Sequence, residues 1–536
     1  VTHALHSSGW ACGGREAEAH DDDAAVARVP GLARPPRRGV CHPGPPRAAH
    51  IWEDRRVNPA PAANSSLPAA LPAVAIELGE RFAQRGYELS LVGGPVRDLF
   101  LGREAPDLDF TSNANPDQIL DVIDGWAEAT WDVGREFGTI AMRRGDDQIE
   151  ITTYRADVYD EDSRKPHVRF GTRLEDDLAR RDFTVNSMAI RLPGGELVDP
   201  FDGRGDLALG LLRTPSGPEI SFSDDPLRMM RGARFVSQLG FDVAAPELAA
   251  MESMASRLEI VSAERVRDEL SKLLLGAHPD RGIDVMVSTG LAELVLPEVA
   301  ALRLEKDEHH RHKDVYEHSL TVLRQAAERE GGPEDPVPGP DLVLRLAALM
   351  HDIGKPDTRR FESGGAVSFR HHDVVGAKLA RKRLKALRFD NDTVKAVARL
   401  VELHMRFYGY ADAGWSDSAV RRYVTDAGPL LHRLHLLTRS DVTTRNRRKA
   451  ERLEFAYDDL EARVEELAAQ EELDAIRPDL DGGAIMAALG IKPGPLVGRA
   501  YSFLLERRLD RGPASEEQAL AELREWWAQQ PESAEA

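Results

Sequence analysis

The 536-residue chain has only two cysteines, Cys12 and Cys41. Two thiols at that spacing fit neither a disulfide scaffold nor a four-ligand zinc site. No run of about 18 apolar residues occurs, so no membrane-spanning helix is expected. The N-terminus lacks the basic-then-apolar order of a secretory signal. Cations are in deficit: 70 Lys and Arg stand against 90 Asp and Glu, a net charge of −20, which excludes a surface that attracts polyanions indiscriminately. Any nucleic-acid contact then needs localised basic patches. Together these absences point to the cytoplasm.

What is present is size and pattern. A 536-residue chain exceeds one ordinary hydrophobic core, so several domains are expected. Residues 1–65, rich in Pro, Gly, Ala and Arg without sustained period, read as a disordered extension. The first residue is Val rather than Met, as a mis-assigned start would produce. Over 66–205 helices and strands alternate. The pattern predicts a helix at Leu71–Gln84 and strands at Glu88–Val92, Asp107–Phe110, Thr139–Arg143 and Gln148–Thr153, an α/β head on a small mixed sheet. Beyond 205 the strand signal fades. Amphipathic helices are predicted at 222–240, 262–275, 341–351, 374–387, 393–405 and 450–470, with a loop at Gly331–Pro340. The fold class is α+β: a head (66–205), a helical neck (206–300), an all-α body (301–460) and a helical tail (461–536).

The most informative stretch runs Leu91-Val-Gly-Gly-Pro-Val-Arg-Asp, then Asp107-Leu-Asp109. Gly93 and Gly94, between a strand and a helix, allow backbone N–H groups to approach a phosphate, and Arg97 in the first turn can add a charged fork. Such a turn also occurs without any ligand. Asp107 and Asp109, two apart on a strand, point to one face and repel each other unless a cation lies between them; an isolated pair could equally be a solvated strand edge. Glu150, between Ile149 and Ile151, can complete a trio on adjacent strands. Three carboxylates facing a phosphate-cradling turn suit two-metal phosphoryl transfer, with Mg²⁺ the natural ion.

These residues resemble the head of class II CCA-adding enzymes and bacterial poly(A) polymerases, within the polymerase-β-type nucleotidyltransferases. Asp176-Asp-Leu-Ala-Arg-Arg-Asp-Phe-Thr-Val-Asn186, Val198-Asp-Pro-Phe-Asp-Gly-Arg-Gly-Asp-Leu and Asp224-Asp-Pro-Leu-Arg-Met-Met-Arg-Gly-Ala-Arg234-Phe follow in the family's motif order, over about 87–280. The resemblance implies addition of CMP and AMP to tRNA from CTP and ATP, with catalysis by Asp107, Asp109 and Glu150. It implies that Arg181 reaches the triphosphate or ribose, and that Asp225, Arg228 and Arg231 act as an amino-acid template for C and then A, with Arg234 continuing the stripe. Read physically, Asp225 and Arg228 are three apart and should project from one side of a helix, an acceptor beside a planar donor set; a plain surface ion pair would look the same. The chain has Asp224-Asp225 where the family usually has Glu-Asp, which keeps the charge. The polar segment 158–171 corresponds to a loop that assists the switch from C to A.

Histidines cluster in the second half: His318, His351-Asp352 after the apolar run Leu344–Met350, His371-His372, His404, then Asp441. A buried carboxylate beside imidazoles requires a compensating metal or hydrogen-bond network. The order resembles the HD phosphohydrolase superfamily. It implies one divalent metal held by His318, His351, Asp352 and Asp441, a second site completed by His372 and His404, and a phosphatase or cyclic-phosphodiesterase activity on RNA ends; an HD fold kept only as an RNA-binding body is the alternative. His309, His310 and His312 are assigned no role. Lys378–Arg388, with six cations and no acid, and the cluster from Arg445 onward are expected to contact tRNA phosphates. Rival functions are poly(A) or A-only addition, and an HD phosphohydrolase whose head only senses nucleotide.

Overall fold

The computed structural model describes residues 71–531 except 104–106, 133, 156–170, 305–314, 364–366, 408–409, 411–413, 445 and 472–475. The expected extension with Cys12 and Cys41, the loop segment 158–170, His309, His310, His312 and Arg445 lie outside the described residues. Among the described residues no helix is long and apolar enough to cross a membrane.

The head is a seven-stranded mixed sheet. Its strands are β1 (Leu89–Val92), β2 (Asp107–Ser112), β3 (Ala129–Trp131), β4 (Thr139–Arg144), β5 (Asp147–Thr153), β6 (Ala189–Leu192) and β7 (Glu196–Val198). They lie side by side in the order β3-β4-β5-β2-β1-β6-β7. Only β2 and β5 pair in parallel; the other neighbours are antiparallel. The alternation of β5 explains its placement, because Ile149 and Ile151 are buried while Gln148 and Glu150 are exposed. Leu108 and Phe110 of β2 join the same core layer. Helices Ala73–Gln84 and Pro116–Ile123 cover that apolar face, burying Leu78, Phe82, Ile119 and Val122. The opposite face of β2 and β5 stays open.

The expected helix over 222–240 is in fact two, Pro218–Asp224 and Leu227–Leu239. Pro226 forces the break, since the residue before a proline is driven out of the α region; Asp225 is extended there, at φ −141° and ψ 100°. Helix Leu227–Leu239 packs on Ala263–Leu274 and Pro279–Ser288 to make the neck.

The body centres on helix Leu342–Met350, whose residues from Leu344 onward are buried. Around it lie Val315–Arg329, Asn391–Leu403 and Leu431–Ser440, with His372–Ala386 packed along Asn391–Leu403. The tail helices Gly482–Leu489, Pro495–Arg511 and Glu516–Ala528 enclose a small core of their own.

Neck and body are joined by one arginine of a buried ion pair that lies within the body. Arg345 donates to Glu330 at 2.8 and 2.6 Å, and its remaining nitrogen donates to the carbonyls of Leu274 and Gly276 at 2.7 and 2.6 Å. Those carbonyls lie at the end of helix Ala263–Leu274, where backbone acceptors have no partner within the helix. Arg345→Met strands Glu330 without its counter-ion and is expected to cost about 3–5 kcal/mol, visible as a lower denaturant midpoint for neck and body together.

Candidate functional site

The β2–β5 register brings the head carboxylates together. Asp109 pairs with Glu150 across the parallel ladder and Asp107 with Gln148, so Asp107, Asp109 and Glu150 share the open face. Burial raises the Asp109 carboxyl above its ordinary value; Arg181 counters this, and the Asp107 charge adds to it. Glu150 is likewise raised, by burial and by the charges of Asp109 and Asp107. A trio that suppresses its own ionisation is relieved by a bound cation, so the donor set fits a hard, oxygen-liganded ion.

Gly93 caps the helix Gly94–Phe100 at φ 75°, a conformation that favours glycine. A methyl group at Gly93 would sit 3.0 Å from Arg181 Nη1 and 3.9 Å from Asp109 Oδ2. Turn, guanidinium and carboxylate therefore converge on one point. Arg181 is held by Asp177, fully buried, at 3.2 Å, while its Nε is buried without a hydrogen-bond partner. A buried donor left over beside a glycine turn is suited to an anion. Arg97 is placed differently from the expectation of a phosphate fork. It donates to Asp98 at 3.0 and 2.8 Å and to Asn186 Oδ1 at 2.7 Å, with its guanidinium over Phe235.

The residues expected to read the base are also arranged otherwise than a single helix face predicts. Asp225 lies outside the helix; its carboxylate accepts from the Leu227 amide at 3.1 Å and from Arg265 at 3.0 Å rather than from the Arg228 guanidinium, whose backbone amide instead donates to the Asp225 carbonyl at 3.0 Å. Arg228 is buried, donating to Ser221 Oγ at 2.9 Å and to the Arg180 carbonyl. Arg231 donates to Asp182 at 2.8 Å, and Arg234 pairs with Glu269 at 2.8 Å. Asp182 stays well below the usual carboxylate range although burial opposes this, because Arg231, Asn186 and the Phe183 amide all favour its charged form. Asp177, Asp182, Asn186 and Arg265 are thus supporting residues that the sequence reading left without a role. Asp177, Asp182 and Asn186 lie inside a quoted motif, so position was the available signal; Arg265 gave none.

In the body, His318, His351 and Asp441 form one group of potential ligands, and Asp352, His372 and His404 another; within each, the ligand atoms lie within 4.8 Å of one another. The head carboxylates do not approach as closely. His318 Nε2 is 2.9 Å from Asp441 Oδ1, and Asp352 bridges the groups: Oδ2 is 3.2 Å from His351 Nε2, Oδ1 is 3.3 Å from His372 Nε2. Lys355 Nζ lies 2.6 Å from Asp352 Oδ2. The tautomers follow from the far side of each ring. Nδ1 of His351, His372 and His404 faces the carbonyls of Ala348, Phe369 and Val401 at 2.9, 2.8 and 2.6 Å. A carbonyl only accepts, so each Nδ1 carries a proton and each Nε2 is turned inward, where it can offer a lone pair to a cation. At His351 burial lowers the pKa, but the Asp352 and Asp441 charges outweigh it and raise the pKa above its ordinary value, so proton and metal compete for that Nε2. His372 and His404 then face each other Nε2 to Nε2 at 3.2 Å, which repels unless a cation or an added proton intervenes. Burial holds the His404 imidazole down, to about 4, against the added proton. The residues therefore fit divalent metal, and the mixed N/O set suits several ions.

Gly354 allows this convergence. A methyl group there would lie 2.1 Å from the His372 carbonyl oxygen and 2.6 Å from the Gly376 nitrogen. Gly354→Ala is expected to push helix His372–Ala386 away from Asp352 and to reduce bound metal per chain, measured by elemental analysis, while nucleotide-dependent activity of the head persists.

Of the basic run, Lys378, Arg381, Lys382, Lys385 and Arg388 are exposed, whereas Arg383 is paired with Glu298 at 2.9 Å.

Comparison with known proteins gives matches along most of the described chain. A poly(A) polymerase head domain matches residues 89–213, a probable RNA and SrmB-binding site of polymerase A matches 240–302, and an HD domain matches 315–446. The chain is 36% identical over 457 residues to an A-adding tRNA nucleotidyltransferase of Deinococcus radiodurans, covering 83% of this chain and 96% of that one. It is 30% identical over 448 residues to a CCA-adding enzyme of Streptococcus thermophilus, covering 83% and 94%. The crystal structure of the Bacillus stearothermophilus CCA-adding enzyme in complex with CTP superposes with a TM-score of 0.62 at 25% identity, covering 84% of this chain and 96% of that one. The chain belongs to the tRNA nucleotidyltransferase family, with a poly(A)-polymerase-type head, a helical neck and an HD body.

Proposed function

We propose that the chain completes tRNA 3′ ends by adding C, C and A from CTP and ATP. The observation that carries this reading is the convergence of Asp107, Asp109 and Glu150 on the open sheet face with the Gly93 turn and the unpartnered Arg181 Nε. Gly93 and Arg181 hold the triphosphate, and the three carboxylates collect the cations. Mg²⁺ bound there would lower the pKa of the RNA 3′-hydroxyl and neutralise the departing pyrophosphate. Asp225 accepts from an exocyclic amino group, which cytosine and adenine share and uracil and guanine lack at that position. Arg228 supplies donors once it exchanges Ser221 and the Arg180 carbonyl for the base edge. Arg231 and Arg234 complete the wall. The head then spans 66–205, the neck 206–300, the body 301–460 and the tail 461–536, and the enzyme works in the cytoplasm.

The experiment is incubation with tRNA lacking its CCA end, Mg²⁺, and CTP and ATP singly and together, with products resolved nucleotide by nucleotide. A ladder stopping after C, C and A is expected. Extension only of tRNA already ending in CC, with ATP alone, would assign A-only addition instead, and open-ended A addition would assign poly(A) synthesis.

A second activity is supported by the facing Nε2 atoms of the body: metal-dependent phosphohydrolysis at RNA ends. It is tested with 2′,3′-cyclic and 3′-phosphorylated RNA in Mn²⁺ or Ni²⁺; an unchanged substrate would leave the body as an RNA-binding scaffold.

A further inference from the structure

The head sheet arranges its open face in rows. Asp109 registers with Glu150, Glu150 with Ala141 of β4, and Ala141 with Trp131 of β3. Residues in register on neighbouring strands point to the same face, so Trp131 stands on the carboxylate face. The burial pattern agrees, since Ile140 and Met142 of β4 are buried on the opposite face. Trp131 is 48% exposed. At about 4.8 Å per strand, its backbone lies roughly 10 Å from that of Glu150, and only the small Ala141 stands between. The next row along the same face holds Arg143, whose side chain is 53% exposed and which contacts Glu128 only loosely at 3.9 Å. Among the described residues no packing accounts for a large aromatic ring left half open on this edge strand, where burial would have contributed stability.

The sheet order decides what approaches that ring. The Gly93 turn and Arg181 flank β2 on the β1 side, whereas β5, β4 and β3 extend on the other side. In phosphoryl transfer the attacking and leaving oxygens are roughly in line through the phosphorus. With the triphosphate toward β1, the attacking RNA terminus must come from the β4–β3 side. We propose that Trp131 is a stacking platform for a nucleobase of the RNA just behind the reacting 3′ terminus, with Arg143 drawing in its backbone phosphate. This rests on the nucleotidyltransferase reading of the head. Unpaired bases stack on aromatic rings without regard to sequence, as a platform needs when the terminal base changes after every addition.

The test uses the full-length protein, Mg²⁺, CTP, and tRNA lacking CCA, intact or carrying a single abasic nucleotide at each of the last positions in turn. Trp131→Ala is expected to raise KM for intact tRNA about tenfold with KM for CTP unchanged, and Trp131→Phe to restore most of the loss. One abasic position should weaken the wild type by a similar factor and leave Trp131→Ala no worse. Equal abasic penalties in both proteins, or a lower kcat at unaltered tRNA KM, overturn the platform. Extension by wild type with unaltered behaviour of Trp131→Ala refutes the platform alone; no extension by wild type, either of this tRNA with CTP or of tRNA ending in CC with ATP, removes the head reading and the platform with it.

Discussion

Replacing Asp107 or Asp109 by asparagine is expected to lower kcat/KM for nucleotide addition about a thousandfold or more, a loss of roughly 4 kcal/mol of transition-state stabilisation. The same Asp109→Asn protein should be more stable than wild type in the absence of divalent ions. The sign follows from linkage. Burial raises the Asp109 carboxyl, so its contribution to stability is present below its unfolded pKa and is lost as pH rises through the folded one. At neutral pH the native carboxylate is therefore a cost, which the neutral amide removes. A melting temperature that rises while activity vanishes separates a functional carboxylate from a structural one. The pH dependence adds a further check. Burial raises Asp109 and Glu150 from their ordinary values, with the neighbouring carboxylate charges adding to it, so metal binding and rate should fall on the acid side from a correspondingly higher pH. More Mg²⁺ should move that limb to lower pH, because metal and proton compete for the same oxygens. A limb indifferent to Mg²⁺ would argue that these carboxylates are not its ligands.

Asp352→Asn is expected to have the second largest effect, confined to the body. Asp352 joins the two ligand groups through its two oxygens, so the amide should abolish metal uptake in both. Wild type should melt higher with added Mn²⁺ or Ni²⁺, by about 2.7 kcal/mol at a hundredfold excess over Kd. The Asp352→Asn protein should show no such shift and no hydrolysis of 2′,3′-cyclic RNA ends, while extending tRNA as wild type does. Asp107→Asn should show the reverse pattern. Metal-induced stabilisation that survives Asp352→Asn would place the ion elsewhere.

Legibility in the sequence followed the range of the interactions. The pair Asp107 and Asp109 was readable because alternation along one strand is local, and the extent of β5 followed from the isoleucines around Glu150. That β2 and β5 are neighbours followed only from the carboxylate trio, and that they run parallel was not readable, since the β3–β4 hairpin intervenes in the chain. Strand β3, three residues long, is too short to show a period, which hid Trp131 from any sequence argument. Strands β6 and β7 leave a usable trace in Pro193-Gly194-Gly195 between two apolar stretches. The 222–240 segment shows the opposite failure: helical spacing overruled Pro226, and Asp225 was paired with Arg228 when it meets Arg265 from another helix. The body's ligands were readable as residue types in order. Their tautomers were not, because these depend on which carbonyl each ring meets.

The bond from Arg345 to the carbonyls of Leu274 and Gly276 bears on how this architecture can decay. The body supplies the terminal cap of a neck helix, and helix Leu227–Leu239 packs directly on that neck helix. A descendant could lose every imidazole around Asp352 and still be unable to discard the body, because the neck helix would be left with bare acceptors at Leu274 and Gly276. Catalytic silence and structural necessity are therefore independent here. An HD fold can outlive its chemistry as the keystone of a polymerase, and a fragment truncated after the neck should be recovered aggregated rather than as a smaller working enzyme.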